Sequence, residues 1–396
     1  MDNRKIVHIA LVGGQTMPVY LALRESEANR IILIHSSSTK AEADKIEKDL
    51  TEEIGQVGIE LIEFPPFDVV KIRELTDNLL TRYSEWAIEV NLSSGTKPWS
   101  IVFAMYAWKY ANVQLMYVDQ NSIIYNYTTS QQHLAAPMDG GIAQILRYNQ
   151  TEVKSYANLN DYNDSDRQLL PKIKKLRNSS YRGRINIFNN LTIPDKKNRA
   201  RFSNNIKDTI IDKETGSEIT WNKKHTTPDN TEEQYVAFDI VNYLGLPERQ
   251  EFVSPHAFDI ITSSGWFEYE VATVLRKWPS GKEIWLNVIF PYDNKNPKNE
   301  IDVIVATEYK MLFIECKTQI FDKTDIDKFA SAVKNYGGMG AKAIFITQQN
   351  MDRQAIEKCD TNKIAHFSFY DAEHKPVGHK ILLDLLDKLI QISNTR

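Results

Sequence analysis

The sequence predicts an α/β protein of two units, each a β-sheet flanked by helices, and three observations lead to that expectation. Short runs rich in Val and Ile alternate with helical patterns over roughly the first 145 residues, as buried parallel strands joined by crossover helices do. A polar, basic interval follows, and a second alternation of apolar strands and helices starts near Phe258. At 396 residues the chain also exceeds one ordinary domain.

In the first unit the predicted strands are Val7–Val12, Ile31–Ile34, Ile59–Phe64, Glu89–Leu92 and Leu115–Val118, with Ser122–Thr128 adding one more. The helices between them are Pro18–Arg24, Ala41–Ile54, Val69–Ser84 and Pro98–Lys109. Repeated βα units of this length imply a doubly wound parallel sheet. From Thr151 to Asn230, Asn, Asp, Lys and Ser dominate, so a linker with a few short elements, among them a helix Leu169–Arg177, is expected. A helix over Glu232–Leu244 is expected next, closed by Gly245 and Pro247. The second unit is read as a helix Trp266–Trp278, strands Glu283–Phe290, Glu300–Ala306 and Met311–Lys317, a helix Thr324–Tyr336, a strand Lys342–Thr347 and a terminal helix Lys380–Ile392. The run Gly337-Gly338-Met339-Gly340 reads as a helix-ending turn rather than a phosphate loop. The expected division is therefore a first unit over 1–148, a basic and polar linker over 149–230, and a second unit over 231–396.

Composition removes several classes. Apolar runs such as Ile101–Ala107 fall far short of the ~20 residues of a membrane span. The N-terminus reads directly into a strand and carries no cleavage signal, so a cytoplasmic location is expected. Two cysteines, Cys316 and Cys359, are too few for a disulfide scaffold or a four-cysteine zinc site. Eight histidines show no metal spacing, and no Ser/His/Asp or Cys/His set is readable. Between Arg167 and Lys207 twelve Lys or Arg residues face a single acid, Asp195, giving +11; the chain as a whole carries −4, so the remainder sums to −15. A basic block in an acidic chain is either a solvated connector or a footprint for phosphate. Tyr181, Phe188 and Phe202, interleaved among these charges, suit stacking on unpaired bases.

Ligands of open α/β sheets bind outside the carboxyl ends of the strands. Here those ends carry Gly13-Gly14-Gln15-Thr16, then His35-Ser36-Ser37-Ser38-Thr39-Lys40, then Ser93-Ser94-Gly95-Thr96-Lys97. Each loop alone is ordinary helix capping; three together favour a nucleotide, because small residues admit the backbone to phosphate and helix N-termini attract it. A third glycine is missing after Gly13-Gly14, and His35 stands near where a dinucleotide site has its acid. Gly95-Thr96-Lys97-Pro98 is not a Walker loop. NAD and a P-loop triphosphate are both disfavoured.

In the second unit, Glu315 and Lys317 share one strand face while Cys316 points away, and Asp302 lies on the preceding strand. Two carboxylates and an ammonium within such apolar strands must pair with each other or bind a cation. Upstream, Glu268 falls on a helical stripe with Val271, Leu275 and Trp278, which turns it toward the core and leaves Glu270 displaced toward the rim.

These residues resemble two families. The strand end Asn91-Leu92-Ser93-Ser94-Gly95-Thr96-Lys97 with its following helix looks like the signature of the CARF domain, a Rossmann-like fold, over roughly residues 1–148. The resemblance implies a homodimer that holds a cyclic oligoadenylate across its two-fold axis, cyclic tetra-adenylate being the commonest in such architectures. It implies ligand contacts from Gly14, Gln15, Thr16, Thr39, Ser93, Ser94, Gly95, Thr96 and Lys97; Thr39-Lys40 fits more loosely and Asp68 is weaker still. Gly265-Trp266-Phe267-Glu268, Asn299-Glu300-Ile301-Asp302-Val303 and Glu315-Cys316-Lys317 look like the PD-(D/E)xK, restriction-endonuclease-like domain fused to CARF in ancillary effectors of type III CRISPR systems. That resemblance implies Mg²⁺ or Mn²⁺ held by Asp302, Glu315, the Cys316 carbonyl and Glu268, with Lys317 acting on the attacking water. The expected activity is cleavage of single-stranded RNA, DNA or both, switched on by the ligand. Two rivals remain open at this point: a nucleotide-sensing transcription regulator, and a ring nuclease that degrades its own ligand.

Overall fold

The computed structural model describes residues 4–55, 57–178, 207–211, 218–222, 225–226, 232–233, 236–239, 251–254, 256, 260, 264–291, 299–320, 322–338 and 340–390. The first sheet comprises β1 (Ile6–Leu11), β2 (Arg30–His35), β3 (Gly58–Glu63), β4 (Ala87–Asn91), β5 (Val113–Val118), β6 (Ile123–Asn126) and β7 (Gln131–Leu134), in the order β3-β2-β1-β4-β5-β6-β7. The five strands β1–β5 are parallel, and β6 and β7 close the edge antiparallel. Helices α1 (Met17–Glu25) and α2 (Lys40–Ile54) bury one face, with Leu21, Ile46 and Leu50 against Ala10 and Leu33. Helices α3 (Val69–Arg82) and α4 (Lys97–Ala107) bury the other, with Leu79, Trp99 and Phe103 against Ile9 and Val90. This is the doubly wound arrangement expected from the alternation.

A helix absent from the expectations, α5 (Gly141–Tyr148), follows β7. Its Ile142, Ile145 and Leu146 enter an apolar cluster that runs without a break from Leu21 to Trp285, Ile304 and Phe313 of the second unit. The helix is thus packed between the two sheets.

The second sheet has the order β19-β18-β17-β16-β15-β8. Its strands are β8 (Ser155–Asn158), β15 (Glu283–Phe290), β16 (Asn299–Ala306), β17 (Met311–Lys317), β18 (Lys342–Thr347) and β19 (Ala365–Ser368). The meander β15-β16-β17 is antiparallel, and β17-β18-β19 is parallel. Helix α7 (Gly265–Leu275) and the final helix His379–Ile390 cover one face; α8 (Thr324–Tyr336) and α9 (Arg353–Thr361) cover the other. The backbone N–H of Gly337 bonds the Val333 carbonyl at the end of α8, as a helix-ending turn does.

The expectations fail in two places. The helix expected at Leu169–Arg177 is present within the longer α6 (Asp164–Asn178), but the stretch read as linker is part of the second unit: β8 pairs with β15, and Leu169 and Ile173 of α6 join the core around α7. The stretch read as a helix over Glu232–Leu244 contains strands β12 (Glu232–Glu233) and β13 (Val236–Asp239) instead. Strand β13 pairs with β10 (Glu218–Asn222) and β14 (Glu251–Ser254) in a four-stranded antiparallel sheet whose other edge is β9 (Lys207–Ile211), while β12 pairs with β11 (His225–Thr226). The reason is backbone pairing distant in sequence: Ala237 and Phe238 register with Val253 and Phe252, and that ladder overrides a helical pattern local to the sequence. Residues 240–244 lie outside the described set, as do 179–206, which carry six of the twelve basic residues of the block.

Candidate functional sites in the two units

The loops after β1 and β4 meet at the carboxyl edge of the first sheet. Gly95 has φ +77°, and a Cβ there would lie 2.8 Å from both the Leu11 Cβ and the Trp99 ring. A Cβ on Gly13 would lie 2.6 Å from the Gly95 nitrogen, so both loops depend on glycine for their contact. The Gly13 N–H donates to Ser94 Oγ at 3.0 Å, and Ser94 is buried. Asn91, fully buried and not singled out from sequence, braces the same loops: its amide donates to the Pro18 carbonyl, and its Oδ1 accepts from the Ser93 N–H at 3.0 Å and the Ser93 hydroxyl at 2.5 Å.

Not every expected ligand contact faces outward. The Thr16 hydroxyl is buried and donates to the Tyr148 carbonyl at 2.6 Å. Thr39 donates to the Val12 carbonyl and accepts from the Ser36 N–H. Ser93 Oγ also accepts the Val118 N–H at 2.6 Å. Thr96 caps α4 by accepting the Trp99 N–H, and Asp68 caps α3 by accepting the Lys71 N–H. What remains exposed in these loops is Gly14, Gln15, Ser37, Ser38, Lys40 and Lys97. A cation at the first turn of α4 opposes the helix dipole unless an anion joins it.

The second site is built on β16, β17 and α7. The β16–β17 ladder ends at Val303–Ile314, one position short of Asp302 and Glu315, and the strands part there. The Cys316 N–H that the ladder leaves over donates to Asp302 Oδ2 at 2.7 Å. Lys317 Nζ stands 2.5 Å from Glu315 Oε1 and 3.4 Å from Asp302 Oδ2, so one ammonium lies between two carboxylates. Glu268, on α7, is 6 % exposed and accepts from Ser264 Oγ at 2.7 Å. The Cys316 side chain is fully buried, away from the cluster face, as the strand alternation requires.

Burial governs the electrostatics. It pushes the Glu268 carboxyl up to about 8, with the nearby Asp302 charge adding to the effect. Glu315 rises to about 8 for the same two reasons. Asp302 rises as well, through burial, against the pull of Lys317 and the Cys316 N–H. Burial opposes the Lys317 charge, but Asp302 and Glu315 outweigh it and hold the ammonium protonated. Among the described residues no three His, Cys, Asp or Glu groups stand close enough to form a ready metal cage. The donor chemistry nevertheless fits a hard dication: two carboxylates already share one positive charge, and Mg²⁺ retains water in its remaining positions.

Glu270 corrects the sequence reading. It is buried rather than at the rim, and it pairs with Lys174 of α6. At least one lysine of the basic block therefore fastens α6 to the helix that carries Glu268.

Two known families match the chain, one in each unit. The family described as Card1 CARF domain matches residues 7–139, and the nuclease-related domain family, NERD, matches residues 264–364. Among curated proteins no relative matches the sequence. Among solved structures, Can2 from Sulfobacillus thermosulfidooxidans, in complex with cyclic tetra-adenylate, is similar over 98 % of this chain and 100 % of its own, at 17 % identity and TM-score 0.63. Protein VC1899 from Vibrio cholerae is similar over 98 % and 97 %, at 16 % identity and TM-score 0.66. A type III CRISPR defence DNA nuclease activated by cyclic oligoadenylate is similar over 88 % of this chain and 46 % of its own, at 15 % identity and TM-score 0.50. At such identities the likeness is one of fold. The chain joins a CARF domain of the Card1 kind to a C-terminal nuclease-related domain.

Proposed function

We propose that this protein is a metal-dependent nuclease of type III CRISPR defence, activated when its CARF domain binds a cyclic oligoadenylate. The observation that carries the reading is the cluster of Asp302, Glu315 and Lys317 at the parting of β16 and β17. Buried carboxylates of raised pKa are costly to keep and are chemically useful around a divalent cation. Asp302, Glu315 and the Cys316 carbonyl, with Glu268 alongside, would hold Mg²⁺ or Mn²⁺, which would supply Lewis-acid chemistry toward a phosphodiester. Lys317 would orient the attacking water and offset charge developing on the phosphate. A transcription regulator would have no use for this cluster.

At the other end, Gly14, Gln15 and Lys97 face the ligand, while Thr16, Thr39, Ser93, Ser94, Gly95 and Thr96 hold the loops in shape. Cyclic tetra-adenylate is the activator favoured by the Can2 neighbour. The substrate is single-stranded RNA, DNA or both. A homodimer is supported by an exposed row on α4, where Ile101 (60 %), Met105 and Trp108 (91 %) recur at helical spacing. No described helix is long and apolar enough to cross a membrane.

The test is cleavage of labelled single-stranded RNA and DNA, with and without cyclic tetra-adenylate and Mn²⁺. Cleavage should require both and vanish in Glu315→Gln, whose ligand affinity should stay near that of the parent. Normal turnover by that variant would sink the nuclease assignment.

A further inference from the structure

Side-chain hydrogen bonds and the backbone between them lead from the loop after β1 to β15, the neighbour of the Asp302 strand, and from the loop after β4 to the start of β17, the Glu315 strand. The first connection starts at Thr16, directly after Gly14 and Gln15, whose buried hydroxyl donates to the Tyr148 carbonyl at the end of α5. That end is clamped by the Tyr20 ring stacked on Tyr148 at 4.3 Å and by the Tyr148 hydroxyl on Glu53. At the opposite end of α5 the Ile142 N–H donates to Glu283 Oε2 at 2.8 Å, while Glu283 Oε1 accepts from Trp285 Nε1 at 2.8 Å. The fit is close: a Cβ on Gly141 would come within 2.1 Å of that Oε2. Glu283 opens β15, which pairs with β16 on either side of Asp302, through Leu286–Val303 and Val288–Ile301.

The second connection starts at Ser93, whose Oγ accepts the Val118 N–H at the end of β5. The turn that follows is fixed by Asp119 Oδ1, which accepts from the N–H groups of Asn121 and Ile123. Asn121 Oδ1 then accepts from Lys310 Nζ at 3.0 Å, and Lys310, 3 % exposed, immediately precedes β17. Strand β17 carries Glu315 and Lys317. A buried ammonium resting on a neutral amide has little other reason to be kept.

We propose that these two struts couple the ligand loops to the nuclease centre, the loop after β1 acting through α5 and Glu283 on β16, and the loop after β4 acting through Asn121 and Lys310 on β17. Asp302 and Glu315 stand where the ladder between those strands has ended, so unequal displacement of the two strands changes the opening between the carboxylates. Glu283 and Lys310 are positioning residues in this scheme. The inference rests on the CARF–nuclease reading above for what the ligand does.

The experiment uses the full chain with Glu283→Gln, Lys310→Met and, should the latter fold poorly, Asn121→Ser. Amide hydrogen exchange without ligand tests the struts alone. Glu283→Gln should speed exchange in residues 13–20 by about threefold or more, and Lys310→Met should do so in residues 93–95, each sparing the other loop. Acceleration confined to the amides beside the substitution overturns the proposal. Cleavage with and without cyclic tetra-adenylate tests the coupling: ligand affinity and unstimulated cleavage should persist while stimulation falls by about fivefold or more. Full stimulation in both variants overturns it. If the parent itself shows no stimulation, the functional reading fails, and the exchange pattern still decides whether the struts exist.

Discussion

Glu268→Gln should stabilise the metal-free protein at alkaline pH and leave it unchanged in acid. Burial and the Asp302 charge move the Glu268 carboxyl from 4.5 to about 8. The folded protein thus keeps a proton that the unfolded chain releases, and stability falls as pH rises from about 4.5 to about 8. A displacement of that size is worth about 5 kcal/mol at its ceiling. Glu315 draws on the same Asp302 charge, so the two contributions overlap and do not add. Water entry and relaxation around Ser264 bring the expected gain to about 2–4 kcal/mol at pH 8.5. Gln fills the same volume and still offers an oxygen to Ser264 Oγ, so packing is held constant. The assay is urea unfolding in EDTA from pH 4.5 to 8.5, parent beside variant. The curves should coincide at the acid end and diverge steadily above it. Parallel curves would show that Glu268 titrates alike in the folded and unfolded chain, and the reasoning would be wrong. Saturating Mn²⁺ should narrow the gap, because a dication favours the ionised carboxylate.

Lys97→Ala should weaken cyclic tetra-adenylate binding about 10- to 100-fold, the worth of one charge-assisted contact; calorimetry giving parental affinity would move the ligand elsewhere. Gly95→Ala should cost about 2–4 kcal/mol in urea unfolding through left-handed strain and the clash with Leu11 and Trp99, whereas Gly14→Ala, which meets open space, should be near neutral. Trp108→Glu should raise a dimer dissociation constant about 30-fold or more in sedimentation equilibrium, as loss of a central aromatic anchor does. A parental constant would remove the α4 face from the interface.

Much of the architecture was legible because its signals are local. Strands β15 and β17 and helix α8 coincide with their expected bounds, each being an apolar or periodic run closed by polar or glycine residues. Glu315 and Lys317 were readable as a pair because strand alternation alone puts them on one face. Helix α5 was missed because it starts at Gly140-Gly141, which reads as a turn, and its reason to be helical is an apolar face shared between two sheets. Strand β8 is four residues, Ser155–Asn158, with no periodicity to betray it. The burial of Glu270 was invisible since its partner, Lys174, lies 96 residues away. Asn91 was quoted for its place in a motif, but a short polar side chain at a strand end does not reveal that it is buried and braces two loops.

The uninterrupted apolar cluster from Leu21 through α5 to Phe313 bears on how such proteins can be rearranged. Sensor and nuclease here are not beads on a string, because a cut after Tyr148 would strip α5 of its contacts with the second unit and uncover part of the cluster around Trp285, Ile304 and Phe313. A graft of another catalytic unit onto this sensor, by recombination or in the laboratory, would have to supply a surface moulded to α5 and a carboxylate where Glu283 meets its first turn. Diversification in this architecture is therefore easier in the loops at the two functional edges than at the seam between them.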